Sequence, residues 1–324
     1  MTRRHTPESL GHRIVRTSVD WSSVGTRLID YLSGRFTYRD AEAWRKVIGA
    51  GEILVNHAAA APEQILQMHD LIEYLPQELP EPEADLNFHI LYEDDDLLVV
   101  DKPGNLCMHP SGPFFRHTLW HLLCARYGDI HFVNRLDRET SGALIAAKTG
   151  EIAARLQKRG ADIIKTYMVL VEGDFKNEVD AAGFLIADTR SAVHKKRRFV
   201  TELPDGAVNA EQCRTLLTPI GSPLPGVTLV RARLYTGRMH QIRATVYSLG
   251  FPVVGDKLYG PNETYFLKLR DGTLSPEELR RLRLPRQALH SAEIEFTHPR
   301  TRERLKFTSP LPEMFLSPPA GGVV

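Results

Sequence analysis

The sequence predicts an α+β protein in two domains, and three observations carry that reading. Apolar runs of strand length outnumber helical stripes. The helices between them fall at irregular intervals, without the regular strand–helix–strand rhythm of a doubly wound sheet. A segment rich in proline and acid interrupts the pattern at 76–85.

Taken in order, Val24, Leu28 and Leu32 recur at four-residue spacing, and Trp44, Val47 and Ile48 make a second apolar stripe. Two short helices are therefore expected between residues 25 and 48. Gly49-Ala-Gly51 stops the second helix, and 52–55 and 70–75 read as strands. Helix, helix and hairpin form a compact module over 24–75, behind an extension at 1–23. Positions 76–85 hold three prolines and four acids, which favour extended backbone over a packed core, so 76–88 is assigned as a linker. The larger domain spans 89–316, with a tail at 317–324. It opens as strand, acidic turn (Asp94 to Asp96) and strand over 90–102. Further strands are expected at 143–147, 167–171, 228–235, 289–296 and 304–307, and helices at 118–127, 151–159 and 239–249. Ser275-Pro-Glu-Glu supplies an N-cap, a proline at the first helical position and early acids, so a surface helix begins there.

Composition narrows the function classes without choosing one. A chain of 324 residues, 42% hydrophobic and 25% charged, can bury a core without staples and is neither disordered nor collagen-like. No run approaches the ~20 apolar residues of a membrane span, and the polar start leads into no apolar signal core. Cys107, Cys124 and Cys213 are odd in number and widely spaced, so reduced thiols and a cytoplasmic location are expected. With 41 basic and 40 acidic residues the net charge is +1, so any nucleic-acid surface must be a local basic face.

Two segments and one tyrosine carry possible chemistry. Asn134-Arg-Leu-Asp137-Arg-Glu-Thr-Ser-Gly142 sets a carboxylate between two arginines just before a strand. Cationic neighbours keep such an aspartate ionised and able to act as base, nucleophile or ligand, although a plain polar turn reads the same way. Gly237-Arg-Met-His240-Gln-Ile-Arg243 precedes Val246, Leu249 and Gly250, so Arg243 lies at the edge of a buried stripe and needs an anionic partner. An ordinary ion pair would satisfy it equally well. Tyr167, in Lys165-Thr-Tyr167 at a strand start, is by itself a core residue.

Together, and in this order, these segments resemble the RluA family of pseudouridine synthases. The family pattern is His-Arg-Leu-Asp-x-x-Thr-Ser-Gly, then Lys-x-Tyr, then Gly-Arg-x-His-Gln-(Ile/Leu)-Arg. Asp101-Lys-Pro-Gly104, His109-Pro110, Gly255-Asp256-Lys-Leu-Tyr259-Gly260 and Leu289-His290-Ser-Ala292 support the match, which covers residues 88–310. Arg27-Leu-Ile-Asp-Tyr-Leu32 and Gly51-Glu-Ile-Leu-Val-Asn56 resemble the αL-type RNA-binding domain of a ribosomal small-subunit protein. The resemblance implies a bent, mostly antiparallel sheet with a central cleft holding Asp137, Tyr167 and Arg243. Asp137 would be the catalytic aspartate, attacking the anomeric carbon or the uracil ring, or promoting a glycal. Arg243 would pair with it. Tyr167 would stack on uracil and serve in removing the proton from carbon 5, and Arg135 would stand near the space left by a flipped base. The reaction is an isomerisation, so no cofactor and no metal are expected. One departure stands out, because Asn134 occupies the position where the family usually has His.

The expected partner is structured RNA, with ribosomal RNA of the large subunit favoured over transfer RNA, no membrane, and a monomeric protein. RNA contacts are expected from Arg135, Arg238, His240 and Gln241, from the basic run Lys195, Lys196, Arg197 and Arg198, and from Arg27, Arg45 and Lys46 of the first module. A non-catalytic ribosome-assembly factor on the same scaffold is the alternative. His117 and His121 have the spacing of a two-histidine metal site on a helix, which would suit a metal-dependent hydrolase, but they lack the intervening glutamate and a third ligand. Asp94 to Asp96 lacks the spaced ligands and glycine of a calcium loop.

Overall fold

In the computed structural model, which describes residues 14–36, 39–76, 81–158 and 162–316, the chain divides into two compact units. One holds the described residues as far as Pro82 together with Gly112–Arg116, and the other Glu83–Ser111 and the described residues from His117 on. The expected extension as far as residue 13, linker positions 77–80, the helix end at 159 and the tail at 317–324 lie outside the described residues.

The first unit is built from β1 (Val15–Ser18), α1 (Leu28–Arg35), α2 (Ala41–Gly49), β2 (Ile53–Val55), β3 (Ala58–Ala59) and β4 (Leu71–Tyr74). Asp40 starts α2, its carboxylate accepting from the Ala43 N–H at 2.8 Å. The apolar stripes do what amphipathic spacing requires. Leu28, Ile29, Tyr31 and Leu32 of α1 meet Trp44, Val47 and Ile48 of α2 over Ile53, Val55 and Ile72 of an antiparallel sheet ordered β1-β4-β2-β3. Val24 departs from the expected stripe. Val24 ends a 3-10 turn at Trp21–Ser23 and the helix starts only at Leu28, which leaves Val24 exposed.

The second unit runs β5 (His89–Glu93), β6 (Leu97–Lys102), α3 (Leu119–Tyr127), β7 (His131–Phe132), β8 (Ser141–Ala147), α4 (Gly150–Lys158) and β9 (Ile164–Glu172). It continues with β10 (Val179–Ala187), β11 (Arg197–Val200), β12 (Glu211–Leu224), β13 (Val227–Leu234), α5 (Gln241–Ser248), α6 (Thr264–Arg270) and α7 (Pro276–Arg281). β14 (Leu289–Thr297), β15 (Arg304–Thr308) and α8 (Glu313–Leu316) complete it. Its sheet has eleven strands, with the path β11-β10-β12-β13-β9-β14-β8-β6-β5 and with β15 on β14 and β7 on β8. All pairings are antiparallel except β14 with β8, which run parallel where His290 meets Ser141 and Ser291 meets Gly142. The architecture is therefore α+β with a predominantly antiparallel sheet.

That parallel pair is the seam of the unit. On one side α4 packs Ile152, Ala153 and Leu156 against Leu97, Val99, Ile145 and Phe296. On the other side, α5 and the segment around Tyr259 cover Ala181, Leu185 and Cys213. Gly142 makes the seam possible. Its φ is +110°, and a Cβ there would fall 2.3 Å from the Ser291 carbonyl oxygen.

β10, β11 and β12 are strands that periodicity does not announce. β12 contains Pro219, Gly221 and Pro223 and pairs with β13 through register shifts at Pro219/Gly221 and Gly221/Leu224. Bulges accommodate residues that otherwise signal a turn. Among the described residues no helix is long and apolar enough to cross a membrane.

Candidate active site

Asp137 sits in the turn between β7 and β8, and its surroundings hold that turn from three directions. Its own carbonyl accepts from the Thr140 N–H at 3.1 Å. The Glu139 carboxylate accepts from Lys257 Nζ at 2.8 Å, and Gln287 Nε2 donates to Thr140 Oγ1 at 2.6 Å. Beneath, the fully buried Lys102 donates to the carbonyls of Pro103, Leu106 and Arg138 at 2.7, 3.0 and 3.1 Å. Burial pushes the Lys102 pKa down to about 7, with Arg286 adding to the effect.

Helix α5 delivers Arg243 to this turn. Its Nη1 donates to Asp137 Oδ2 at 2.6 Å, while Nε and Nη2 grip Asp256 in a fork at 2.6 and 2.8 Å. Asp256 is itself fixed, because its Oδ1 also accepts the N–H groups of Leu258 and Tyr259 at 2.9 Å each. The guanidinium lies over the Tyr259 ring, 5.0 Å from its centroid. Arg243 is thus a buried cation shared by two carboxylates, one of them sealed and one about a third exposed. Burial alone would raise the Asp137 pKa. The charges of Arg243 and His240 and hydrogen bonds from Arg243 and Gln287 outweigh it and hold the group at about 2. The same balance, burial against Arg243, lowers Asp256.

Tyr167 is buried in β9, in register with Ser291 of β14 and Ala232 of β13. Burial pushes its phenol up to about 12 against a lowering contact from Ser291, so the hydroxyl stays protonated. Lys165 lies two residues along on the same strand face, and burial lowers its pKa. His240 is the N-cap of α5 in a left-handed conformation, φ +57°. Its Nδ1 is 3.1 Å from the Tyr259 hydroxyl, and its Nε2 lies 3.9 Å from Asp137 Oδ1. The structure therefore brings Asp137, Arg243 and His240 together, with Asp256 and Tyr259 behind them. Asp256 and Tyr259 stand in the segment 255–260, whose spacing alone does not reveal an arginine partner.

The expected RNA contacts divide. Arg135 and Arg238 are exposed, as is Lys195, whose ammonium rests 4.2 Å from the Phe266 ring centroid. Arg197 and Arg198 are half-buried in β11. Lys196 is buried, pairs with Glu263 at 2.8 Å and lies over the Tyr247 ring, so it faces the interior and not RNA. Gln241 is buried as well. Its oxygen accepts from Thr236 Oγ1 and the Arg238 N–H, and its nitrogen donates to the Arg214 carbonyl and Thr215 Oγ1. With its amide fully engaged, Gln241 braces the start of α5. In the first unit Arg27 pairs with Asp30, Arg45 with Glu63 and Lys46 with Glu42, all exposed and so largely self-neutralised.

Asn134 also turns inward, its Oδ1 accepting from the Ile145 N–H of β8 at 2.9 Å. His117 precedes the N-cap Thr118 of α3, so it does not share a helical face with His121. Among the described residues no group of three His, Cys, Asp or Glu side chains could hold a metal ion. Asp94 closes a tight turn by accepting from the Asp96 and Leu97 N–H groups.

The arrangement keeps one carboxylate anionic, aimed and partly open beside a neutral imidazole. Comparison with known proteins places the chain in a family. Residues 96–248 match the family model described as RNA pseudouridylate synthase. The chain is 31% identical over 286 residues to a ribosomal large subunit pseudouridine synthase D of Pseudomonas aeruginosa, covering 82% of each chain. It is 30% identical to the protein of that name in Vibrio cholerae, covering 94% of each. Among solved structures, human RNA pseudouridylate synthase domain containing 1 is similar with a TM-score of 0.57 at 25% identity, covering 76% of this chain and 94% of that one. With a family match, such relatives over most of its length and the Asp137 motif in place, this chain belongs to the RluA-type RNA pseudouridine synthases, isomerases that convert uridine to pseudouridine.

Proposed function

We propose that the chain modifies uridine in large-subunit ribosomal RNA, with Asp137 as its catalytic residue. The observation that carries the catalytic assignment is the relay Asp256–Arg243–Asp137, which uses a sealed carboxylate to orient the arginine that holds an open one. The RNA assignment draws on the names of the similar bacterial proteins.

During the isomerisation the bond from the sugar to N1 breaks, a bond to carbon 5 forms, the carbon-5 hydrogen leaves as a proton and N1 takes a proton up. An aspartate held near pKa 2 is anionic throughout the working range and is ready at every stage where positive charge builds on the sugar or a nucleophile is needed. Burial raises the Tyr167 phenol to about 12, so in the resting site it carries its proton and offers the uracil a flat ring. Arg135, Arg238 and Lys195 lie exposed on the same unit as Asp137 and supply phosphate contacts. A second RNA contact from the first unit rests on the resemblance of its segments to an RNA-binding domain, since its Arg27, Arg45 and Lys46 are paired with acids. The protein works as a cytoplasmic monomer, and the isomerisation draws on no cofactor or metal.

The test is tritium release from RNA labelled at carbon 5 of uridine, with ribosomal and transfer RNA compared and Asp137→Asn run in parallel. Release from large-subunit RNA by wild type alone is expected. Release from transfer RNA only would replace the substrate, and equal release by the variant would remove Asp137 from the chemistry.

A further inference from the structure

The contacts of His240 do not resemble those of an RNA-reading side chain. Its side chain is only 8% exposed, and its two ring nitrogens face two different groups inside the protein. The Tyr259 hydroxyl accepts from the Arg197 backbone N–H at 2.9 Å. That leaves the hydroxyl's own hydrogen free to point at His240 Nδ1, 3.1 Å away. A neutral imidazole that accepts at Nδ1 carries its proton on Nε2. That N–H faces Asp137 Oδ1, the oxygen that Arg243 leaves unoccupied.

The ring also stays neutral. Arg243 of its own helix and Lys195 from the segment before β11 oppose a positive charge, while Asp137 and Asp256 favour one. Burial decides between them, pushing the pKa down to about 4. A second cation would grip the carboxylate harder and blunt it. A neutral donor aims it without that effect.

We propose that His240 is a positioning residue for Asp137, locked by Tyr259 as the Nε2–H tautomer so that it donates to Asp137 Oδ1 when the site contracts around the flipped uridine. The present separation of 3.9 Å is one small side-chain movement longer than a hydrogen bond. Tyr259 thereby joins the site at one remove, setting which nitrogen bears the proton. The inference rests on Asp137 carrying the chemistry.

Two measurements test it on the full-length protein. Nitrogen-15 NMR of histidine-labelled protein at neutral pH should show His240 with Nε2 protonated and Nδ1 bare, and a mixture of tautomers in Tyr259→Phe. Single-turnover rates should fall about 10- to 100-fold in His240→Phe and less in Tyr259→Phe, with partial recovery in His240→Gln, which restores a neutral N–H donor. RNA affinity should stay within about twofold in all three. A proton on Nδ1, an imidazolium at neutral pH, or weakened RNA binding with an unchanged single-turnover rate would overturn the proposal. The tautomer is read on folded wild type and does not depend on any variant folding. Asp137→Asn, run alongside, separates the two readings. Activity in that variant would sink the catalytic assignment itself, whereas an inactive Asp137→Asn with a fully active His240→Phe would sink only this one.

Discussion

Asp137 is held by a cation that is itself held, and removing either end has different consequences. Asp256→Ala would leave Arg243 buried with one of its two carboxylates gone. Breaking a buried pair in this way costs about 3–5 kcal/mol, measurable by urea unfolding. Arg243→Lys keeps the charge but cannot fork onto Asp256 while reaching Asp137, so turnover should drop by about 100-fold in single-turnover assays. The pH dependence follows from the low pKa of Asp137, about 2 against an ordinary 3.8. A depressed carboxylate pKa stabilises the fold fully above the ordinary value, and that contribution is lost as the pH falls through the folded value. Unfolding midpoints should therefore drop between pH 3.8 and about 2 in wild type, and less steeply in Asp137→Asn. Asn134 bonds β8 through its side-chain oxygen, and an imidazole nitrogen can accept there too. Asn134→His is expected to keep turnover within about tenfold, and a complete loss would contradict that.

Among the elements, the two strands of the parallel seam set the distance between the aspartate turn and everything opposite it. β8 enters beside β14 only because Gly142 lets the Ser291 backbone approach. Gly142→Ala combines a positive φ with a steric clash against backbone that no side-chain rotation relieves, so a loss above about 3 kcal/mol, or failure to accumulate folded protein, is expected in chemical denaturation. α5 is the other decisive element. Its first turn is tied down by Gln241, and its Arg243 projects toward the turn before β8. The basic run 194–198 is read differently once its elements are known. Its last two residues are strand, Lys196 is interior, and Lys195 is left as the exposed ammonium. Replacing Lys195, Arg135 and Arg238 together by alanine should weaken RNA binding and flatten its salt dependence. The log–log slope should shrink by about 0.7–0.9 for each phosphate that is no longer neutralised.

For the whole molecule, the two units have separate cores, and Asp137, Tyr167 and Arg243 all belong to the larger one. Deleting residues 1–80 should raise the Michaelis constant for RNA with little change in the chemical step, as steady-state and single-turnover kinetics would show; the reverse pattern would assign the first unit to catalysis. The α+β class and the helices of the first unit were legible in the residues alone, and Asp137, Tyr167 and Arg243 were legible through the resemblance of their segments to a known family. The class and the helices rest on local spacing, whereas the three motif residues rest on an ordered set of segments matching a family pattern. The sequence could not reveal β12, whose prolines and glycine read as turns until β13 pairs with them through bulges. Nor could it show that Lys196 and Gln241 point inward, since a polar side chain carries no local sign of whether its partner lies across the fold. That Asp256 grips Arg243 and that Tyr259 meets His240 shows only in the folded chain, because each pairing joins α5 to a later segment that packs beside it over the sheet.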